Sequence, residues 1–189
     1  MNKQLIQKVH KKYIDKLKYL NVPHKKLVIC FSGFAGSGKT YIAKIIEKEY
    51  KAVRIRSDDI RKIVIDMKIK EIDDVTYGYI EWLCKNWKFK NKLIILDMGI
   101  DRKYKETFKI FRKKKYKIFI IRLNVSKKTA YERVFERNKG NIKHFNSEIN
   151  RWICEWKDCG KNINPNIVIN TDKELRLDSL FGKLDKFVN

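Results

Sequence analysis

Proline and glycine are scarce in this sequence, which has 2 prolines and 8 glycines among its 189 residues. No stretch is rich in glycine, proline and serine, so the sequence shows no linker between domains, and it has no internal repeat. Hydrophobic residues make up 43% of the chain, which is ordinary for a globular protein and excludes a disordered one. We therefore expect a single folded domain over residues 1–189.

Long apolar runs are also missing. No segment approaches the roughly 18 residues that span a bilayer, and the first residues lack the apolar stretch of a secretion signal. The cysteines show no paired metal-ligand spacing; they are Cys30, Cys84, Cys154 and Cys159. We expect reduced thiols, a cytoplasmic location and no membrane partner.

Acidic residues are few: 22 Asp and Glu stand against 45 Lys and Arg, which gives a formal net charge of +23. Such an excess attracts polyanions and indicates nucleic acid or an anionic membrane as a partner. A lysine-rich genomic bias explains the same excess, since Lys, Ile and Asn are abundant throughout and the lysines form no single block. Composition leaves both explanations open.

What the sequence does contain is a glycine-rich loop after an apolar run. Residues 27–31 are predicted to be a buried strand, and Gly33-x-x-x-x-Gly38-Lys39-Thr40 follows. Glycines let successive N–H groups surround an anion, and the N-terminus of a helix after the loop adds partial positive charge. The pattern predicts triphosphate binding by a set of loop residues, namely Gly33, Ala35, Gly36, Ser37, Gly38, Lys39 and Thr40.

A magnesium site is predicted beside this loop. The Thr40 hydroxyl would bind Mg²⁺ while Lys39 reaches the β- and γ-phosphates. Asp97 follows the apolar run Leu-Ile-Ile-Leu, and this position matches that of the acidic residue that holds Mg²⁺ in phosphate-loop proteins. The alternative for Asp97 is an ordinary strand-end carboxylate that begins a turn. We expect ATP and Mg²⁺ as cofactors.

Apolar runs alternate with amphipathic segments, which predicts a parallel sheet covered by helices on both faces. The predicted strands lie at residues 27–31, 52–55, 92–97, 117–123 and 166–169. The predicted helices cover residues 41–50, 62–90, 104–115, 147–158 and 173–188, together with one that Ser126 caps. Residues 1–22 are predicted to hold an amphipathic helix packed on the domain, with a membrane-surface helix as the alternative.

Two carboxylates, Asp58 and Asp59, follow the second predicted strand. Ligands bind at the carboxyl edge of a parallel sheet, so we expect these side chains near the glycine-rich loop. A kinase needs a carboxylate beside the attacking hydroxyl, to orient it and accept its proton, and Asp58 is a candidate for that role. The alternative for Asp58 is a helix N-cap.

Together these motifs resemble the polynucleotide-kinase-like group of small P-loop kinases, which includes polynucleotide 5′-hydroxyl kinases, chloramphenicol phosphotransferase and zeta toxins. The resemblance covers residues 27–171 and rests on Gly-x-x-Gly-Ser-Gly-Lys-Thr and on Ser-Asp-Asp-Ile-Arg after strand two. It implies the three-layer α/β/α fold of P-loop kinases, with a five-stranded parallel sheet in the order 2-3-1-4-5. After the acidic residue of strand three, this chain has Met98-Gly99 where polynucleotide kinases tend to have Thr or Ser followed by Asn.

The resemblance also implies roles for individual residues. In the polynucleotide kinases the first Asp after strand two is the general base, which implies that role for Asp58. The Arg three positions further on contacts the acceptor, which implies that role for Arg61.

Arginines of the helix after strand four lead into a lid in this group, and the lid loop is predicted at residues 138–146. This implies that Arg133 and Arg137, which share a helix face, clamp the transferred phosphoryl group and that Arg133 contacts the nucleotide. The loop after strand five passes the adenine base, which implies that Thr171 contacts the nucleotide. A solvated basic face is the alternative for the two arginines, and a helix cap is the alternative for Thr171.

The favoured prediction is an ATP-dependent kinase that transfers the γ-phosphoryl group to a hydroxyl, with a 5′-hydroxyl of DNA or RNA as acceptor because of the positive charge. A small-molecule acceptor, such as a nucleoside, a nucleotide sugar or an antibiotic, is the alternative. A GTPase is excluded because the segment at residues 138–141, Asn-Lys-Gly-Asn, lacks the Asp that reads guanine. An ATPase that uses nucleotide only to hold RNA stays open, and the oligomeric state is not predicted.

Overall fold

The structure of the protein is a computed structural model that describes residues 3–19, 22, 25–86, 89, 92–101, 103–137, 150, 154, 156, 160, 162–173 and 177–188. Its strands are β1 (Leu27–Ser32), β2 (Val53–Arg56), β3 (Leu93–Gly99), β4 (Lys117–Asn124) and β5 (Ile167–Asn170). They form one five-stranded sheet in the order β2-β3-β1-β4-β5, and every pair of neighbours is parallel. The predicted fold class and strand order are confirmed.

Helices cover both faces of this sheet. They are α1 (Lys3–Tyr13), α2 (Lys39–Tyr50), α3 (Ser57–Asp66), α4 (Ile72–Asn86), α5 (Tyr104–Lys113), α6 (Lys127–Arg137) and α7 (Asp178–Val188). Helices α1, α3, α4 and α5 share an apolar cluster with Val28 and Cys30 of β1, whereas α2 and α7 share another with Ile29 and Phe31. Side chains that alternate along β1 therefore face opposite layers, and this buried strand fixes the position of the loop that follows it.

The helix predicted over residues 62–90 is wrong in its bounds, because two helices, α3 and α4, occupy this region. Helix α3 already begins at Ser57, and the chain turns after Asp66, where Lys68 has a left-handed backbone with φ of 56°. The backbone N–H of Lys68 donates a hydrogen bond to the carbonyl of Ile65. Lys68 thereby ends α3 with the left-handed conformation that glycine commonly adopts after a helix. The break lets residues of both helices, α3 and α4, border the same cleft at the edge of the sheet.

The N-terminal helix is shorter than predicted. Helix α1 ends at Tyr13, and a single 3₁₀ turn, Ile14–Lys16, follows it. The buried residues of α1, Ile6, Val9 and Tyr13, belong to the apolar cluster that includes Val28 and Cys30 of β1. The Tyr13 hydroxyl accepts a hydrogen bond of 3.0 Å from the backbone N–H of Arg56, so α1 anchors the end of β2.

Other boundaries differ by a few residues. Strand β3 continues two residues beyond Asp97, and α7 begins at Asp178 instead of residue 173. The predicted lid at residues 138–146 lies outside the described residues, as does most of the helix predicted at 147–158. In the part of the chain that the structure describes, no helix combines the length and apolar character that crossing a membrane requires.

Candidate active site

The glycine-rich loop connects β1 to α2, and its lysine is bonded to the loop itself. The Lys39 ammonium donates hydrogen bonds of 2.7 Å to the carbonyl oxygens of Gly33 and Phe34, and one of 3.3 Å to the Ser37 hydroxyl. These contacts hold the positive charge at the centre of the loop. A triphosphate that enters the loop would exchange them for contacts with phosphate oxygens.

Burial lowers the pKa of Lys39 to about 8, although the nearby carboxylates of Asp101, Asp97 and Asp58 act in the opposite direction. The ammonium is therefore charged at neutral pH and loses its proton within the range of ordinary assays. Because three carboxylates surround it, its charge also holds together an otherwise repulsive group of anions.

A pH titration should reveal this shifted lysine. The affinity for ATP is expected to fall as pH rises through about 8, because Lys39 becomes neutral while the phosphates, whose second ionisation lies near about pH 6, stay fully ionised. Calorimetric titration with ATP on either side of this pH measures the effect. The control is Lys39→Arg, whose guanidinium stays charged, so its affinity should be level over the same range. A level wild-type profile would contradict the assignment.

The loop passes very close to α6, and only glycine fits there. A Cβ atom on Gly36 would lie 2.6 Å from the carbonyl oxygen of Ala130 and 3.0 Å from its Cα, at a backbone φ of +79°. Both the contact with backbone atoms and the left-handed conformation exclude a side chain. Gly38, the residue before α2, has φ of +90° and so also requires this freedom.

Gly36→Ala is therefore expected to displace the loop and to weaken ATP binding at least about tenfold. Fluorescence or calorimetric titration with ATP measures it. Gly182→Ala is the matched control, because Gly182 lies within α7 and a Cβ atom there would have open space around it. Alanine at this position should stabilise the fold by about 0.5–1 kcal/mol and leave ATP binding unchanged. Unchanged ATP affinity in Gly36→Ala would contradict this description of the loop.

Thr40 and Asp97 meet at the start of α2. The Thr40 hydroxyl donates a 2.9 Å hydrogen bond to one carboxylate oxygen of Asp97, and this carboxylate is almost fully buried. Arg54 and Arg56 of β2 lie 3.5 and 3.8 Å from its other oxygen. Burial raises the pKa of Asp97, while the Thr40 hydrogen bond and the two guanidinium groups oppose that change.

The chemistry of this pair fits magnesium. The second oxygen of Asp97 is buried and has no hydrogen-bond partner, and the Thr40 hydroxyl supplies a further hard oxygen ligand. The described residues hold no cluster of three or more Asp, Glu, His or Cys side chains suited to a metal. An ion held by Thr40 and Asp97 would thus need phosphate oxygens and water to complete its coordination, which is how Mg²⁺ is usually bound with nucleotides.

Asp58 lies in the first turn of α3 with about half of its side chain exposed, 3.3 Å from a guanidinium nitrogen of Arg56. The N-cap position of α3 is Arg56, and no side chain caps it, so the alternative role of Asp58 as a helix N-cap is wrong. One turn further along α3, Arg61 forms an ion pair with Asp73 of α4. The predicted base and the predicted acceptor contact therefore border the same opening.

Arg133 joins three parts of the site. Its guanidinium donates to the carbonyl oxygens of Gly36 (3.3 Å) and Thr171 (2.5 Å) and to the Thr171 hydroxyl (3.2 Å). A freely solvated face is therefore wrong for Arg133, whereas Arg137, one turn further, is exposed. Thr171 is buried and donates to the Ser37 carbonyl at 3.2 Å, so it supports the loop from beneath. It does not cap a helix, because α7 begins only at Asp178.

Sequence reasoning missed Asp101, a buried carboxylate just after β3. One of its oxygens accepts a 2.6 Å hydrogen bond from the Ser32 hydroxyl, and the other accepts a 3.2 Å bond from the backbone N–H of Gly33. Asp101 thus holds the first residue of the loop and adds negative charge near Lys39. A second acidic residue four positions after Asp97 at the same sheet edge was the available signal.

These side chains line one cleft of about 560 Å³ at the carboxyl edge of β1, β2 and β3. All the predicted site residues border it except Ser37, which is buried within the loop, and Thr171, which is buried beneath it. Phe34 and Trp156, whose rings pack edge to face at 5.5 Å, close one wall. The cleft therefore brings together the lysine, the two predicted acidic groups and the three predicted arginines.

Solved structures with the same fold include several kinases. The chain is similar to a chain of the PezAT toxin–antitoxin system of Streptococcus pneumoniae (15% identity, TM-score 0.64, covering 90% of this chain and 77% of that one). It is also similar to the APS kinase CysC of Mycobacterium tuberculosis (15% identity, TM-score 0.59, covering 87% of this chain and 97% of that one). A gluconokinase of Sinorhizobium meliloti is similar too (14% identity, TM-score 0.57, covering 80% of this chain and 86% of that one). The fold is that of the P-loop kinases.

The chain belongs to the AAA domain family, whose model (AAA_33) matches residues 28–152, well over half of the sequence. No curated protein matches it. The matched region begins in β1, extends beyond α6 and includes the loop, Asp58, Asp97 and the three predicted arginines. None of these similarities identifies the polynucleotide-kinase-like group, so that narrower resemblance stays a prediction.

Proposed function

We propose that the protein is an ATP-dependent phosphotransferase that moves the γ-phosphoryl group of ATP to a hydroxyl acceptor. The observation that carries the proposal is the meeting of Lys39, the Thr40–Asp97 pair and Asp58 in one cleft at the carboxyl edge of the sheet. This arrangement offers a phosphate site, a cation site and a carboxylate facing the same space. A protein that only bound nucleotide would have no use for the third element.

The transfer would depend on position and charge. Lys39 would contact the transferred phosphoryl group, and the exposed Arg137 would face it from α6. The bond of Arg133 to the loop would keep this helix in place beside it. When bound, Mg²⁺ would neutralise charge on the phosphates, held by Thr40 and Asp97. Asp58 would orient the acceptor hydroxyl and take its proton as the acceptor oxygen bonds to the γ-phosphorus. At the same time the bond from that phosphorus to the oxygen of the β-phosphate would break and release ADP.

A small hydroxyl compound is the acceptor class that we propose. The acceptor end of the cleft is bordered by Tyr77 and by Arg61, whose charge is paired with Asp73, whereas a nucleic-acid backbone would need unpaired cations there. Several proteins of similar fold are named for small substrates, namely APS kinase, gluconokinase and deoxyadenosine kinase. A 5′-hydroxyl of nucleic acid is the second candidate, favoured by the net charge of +23.

The experiment is label transfer from γ-labelled ATP to two sets of acceptors. One set contains 5′-hydroxyl oligonucleotides of DNA and RNA, and the other contains small alcohols, nucleosides and sugars. We expect labelled product from the second set alone. Labelled oligonucleotide product, together with an oligonucleotide affinity that falls steeply as the salt concentration rises, would identify nucleic acid as the acceptor instead. ATP hydrolysis without any labelled acceptor in either set would contradict the proposal as a whole.

A further inference from the structure

A second cavity adjoins the acceptor end of the cleft. Its volume is about 270 Å³, and it lies between α4, β3 and the start of α5. Tyr77 and Met98 line both spaces and so form the boundary between them. Nothing in the transfer chemistry described above uses this second space.

One stripe of α4 connects the two cavities. Asp73 and Tyr77, one turn apart, border the cleft, while Ile80 and Cys84, the next positions on that face, border the second cavity. On the sheet, Leu96 and Met98 are two positions apart along β3, so their side chains point to the same side. A molecule placed with one end near Asp58 could therefore extend along this stripe without leaving the protein surface.

The inner wall of the second cavity is mainly apolar, although the buried Thr107 side chain also borders the cavity. Buried side chains of Ile80, Leu96 and Met98 form it together with the Cys84 thiol, whose pKa burial raises, so that it stays neutral. Ile110 of α5 completes this wall.

Charged groups stand only at the rim, and they have both signs. Glu106 and Lys103 are exposed, and the Lys103 ammonium lies 5.5 Å from the centre of the Tyr77 ring. Glu81 pairs with Lys85 on the outer face of α4. The rim therefore carries no single charge that would select a phosphate or another anion.

We propose that this cavity binds an uncharged apolar arm of the acceptor, so that the substrate is an alcohol with an aromatic or aliphatic group several bonds from its hydroxyl. The inference rests on the proposed function, since it names the acceptor of that same site. Burying such an arm removes apolar surface from water at both partners, which favours these alcohols over sugars and nucleotide chains.

Binding can be tested without turnover. The probe is 3-phenyl-1-propanol, with glycerol as the alcohol that lacks the arm, and the readout is the ¹³C-methyl signal of the methionines. The sequence has three methionines, of which Met98 borders the cavity while Met67 lies beside the apolar cluster of α3 and α4. We expect 3-phenyl-1-propanol to shift the Met98 signal in a saturable manner, Met67 to stay in place, and glycerol to shift neither.

A cavity-filling variant locates the arm. Ile110→Trp should occupy the space and weaken binding of 3-phenyl-1-propanol at least about tenfold, with ATP affinity unchanged. The control is Ile65→Trp, which places the same ring on the exposed face of α3 and should leave probe binding unchanged. If Ile110→Trp fails to fold, Ile110→Phe introduces a smaller ring at the same position.

The outcomes separate this inference from the proposed function. A Met98 signal that the probe does not shift, or probe binding that Ile110→Trp leaves intact, would overturn the cavity assignment even if the protein phosphorylates other alcohols. Probe binding that Ile110→Trp removes would support it, even if no acceptor is phosphorylated and the proposed transfer fails. For an active enzyme we also expect KM for 3-phenyl-1-propanol to be at least about tenfold below that for glycerol.

Discussion

Lys39→Ala is expected to lower the rate of phosphoryl transfer about a thousandfold. The ammonium at this position is the positive group at the centre of the loop, bonded to the Gly33 and Phe34 carbonyls and close to three carboxylates. Without it, charge that develops on the transferred group loses a preorganised cation in a partly dry site. Steady-state transfer from labelled ATP to the best small acceptor measures the loss.

The matched control is Lys44→Ala, which removes an exposed lysine of the same helix, α2. Its activity should stay within about twofold of the wild type. Thermal unfolding of both variants distinguishes lost chemistry from lost structure, since the Gly33 and Phe34 carbonyls lose a donor in Lys39→Ala alone. If Lys39→Ala were about as active as the Lys44→Ala control, the proposed role of the loop lysine in phosphoryl transfer would be contradicted.

Asp58→Asn is expected to lower kcat at least about a hundredfold while ATP affinity stays unchanged. The amide keeps the shape of the side chain and can still contact the acceptor hydroxyl, but it cannot accept the proton. Because Asp58 pairs with Arg56, while Lys39 is bonded to the carbonyls of Gly33 and Phe34, the effect should fall mainly on kcat rather than on ATP binding.

Asp66→Asn provides the control for this substitution. Asp66 is exposed at the other end of α3, so the same chemical change there should leave kcat within about twofold of the wild type. Wild-type kcat in Asp58→Asn would exclude Asp58 as the general base. The buried Asp101 would then be the next carboxylate of the cleft to test.

The position of the loop and the meeting of Thr40 with Asp97 could be predicted from sequence because both follow general rules of parallel α/β sheets. A buried strand, the spaced glycines and a helix N-terminus are adjacent in sequence, so they suffice to predict the loop, although distant residues such as Asp101 and Arg133 also bond to it. Thr40 and Asp97 lie 57 positions apart, yet they meet because β1 and β3 are neighbours in register. The apolar strands indicate a parallel sheet, and such a sheet brings the ends of adjacent strands to one edge.

The acceptor side was less predictable because it depends on packing. Nothing between Asp66 and Ile72 is glycine or proline, so the break between α3 and α4 has no local signal, and Lys68 adopts a left-handed backbone instead. That break places Asp73 against Arg61 and turns Tyr77 towards the cleft. Sequence periodicity alone predicts one long helix, on which this arrangement would not exist.

Asp101 escaped prediction for a related reason. Its role follows from two hydrogen bonds, to Ser32 and to the backbone of Gly33, across neighbouring strands. A carboxylate after a strand is usually an exposed turn residue, and only the burial of this side chain marks it as different. The sequence shows the acidic residue but not the donors that surround it.

The most direct test of the account is a ³¹P NMR spectrum of wild-type protein incubated with ATP, Mg²⁺ and a small alcohol that binds the cleft. We predict equal growth of the signals of ADP and of a new phosphate monoester, with both growing at least about a hundredfold more slowly in the parallel Asp58→Asn sample. Equal growth of ADP and inorganic phosphate, with no ester signal, would contradict the central claim, since the cleft would then hydrolyse ATP without transferring its phosphoryl group.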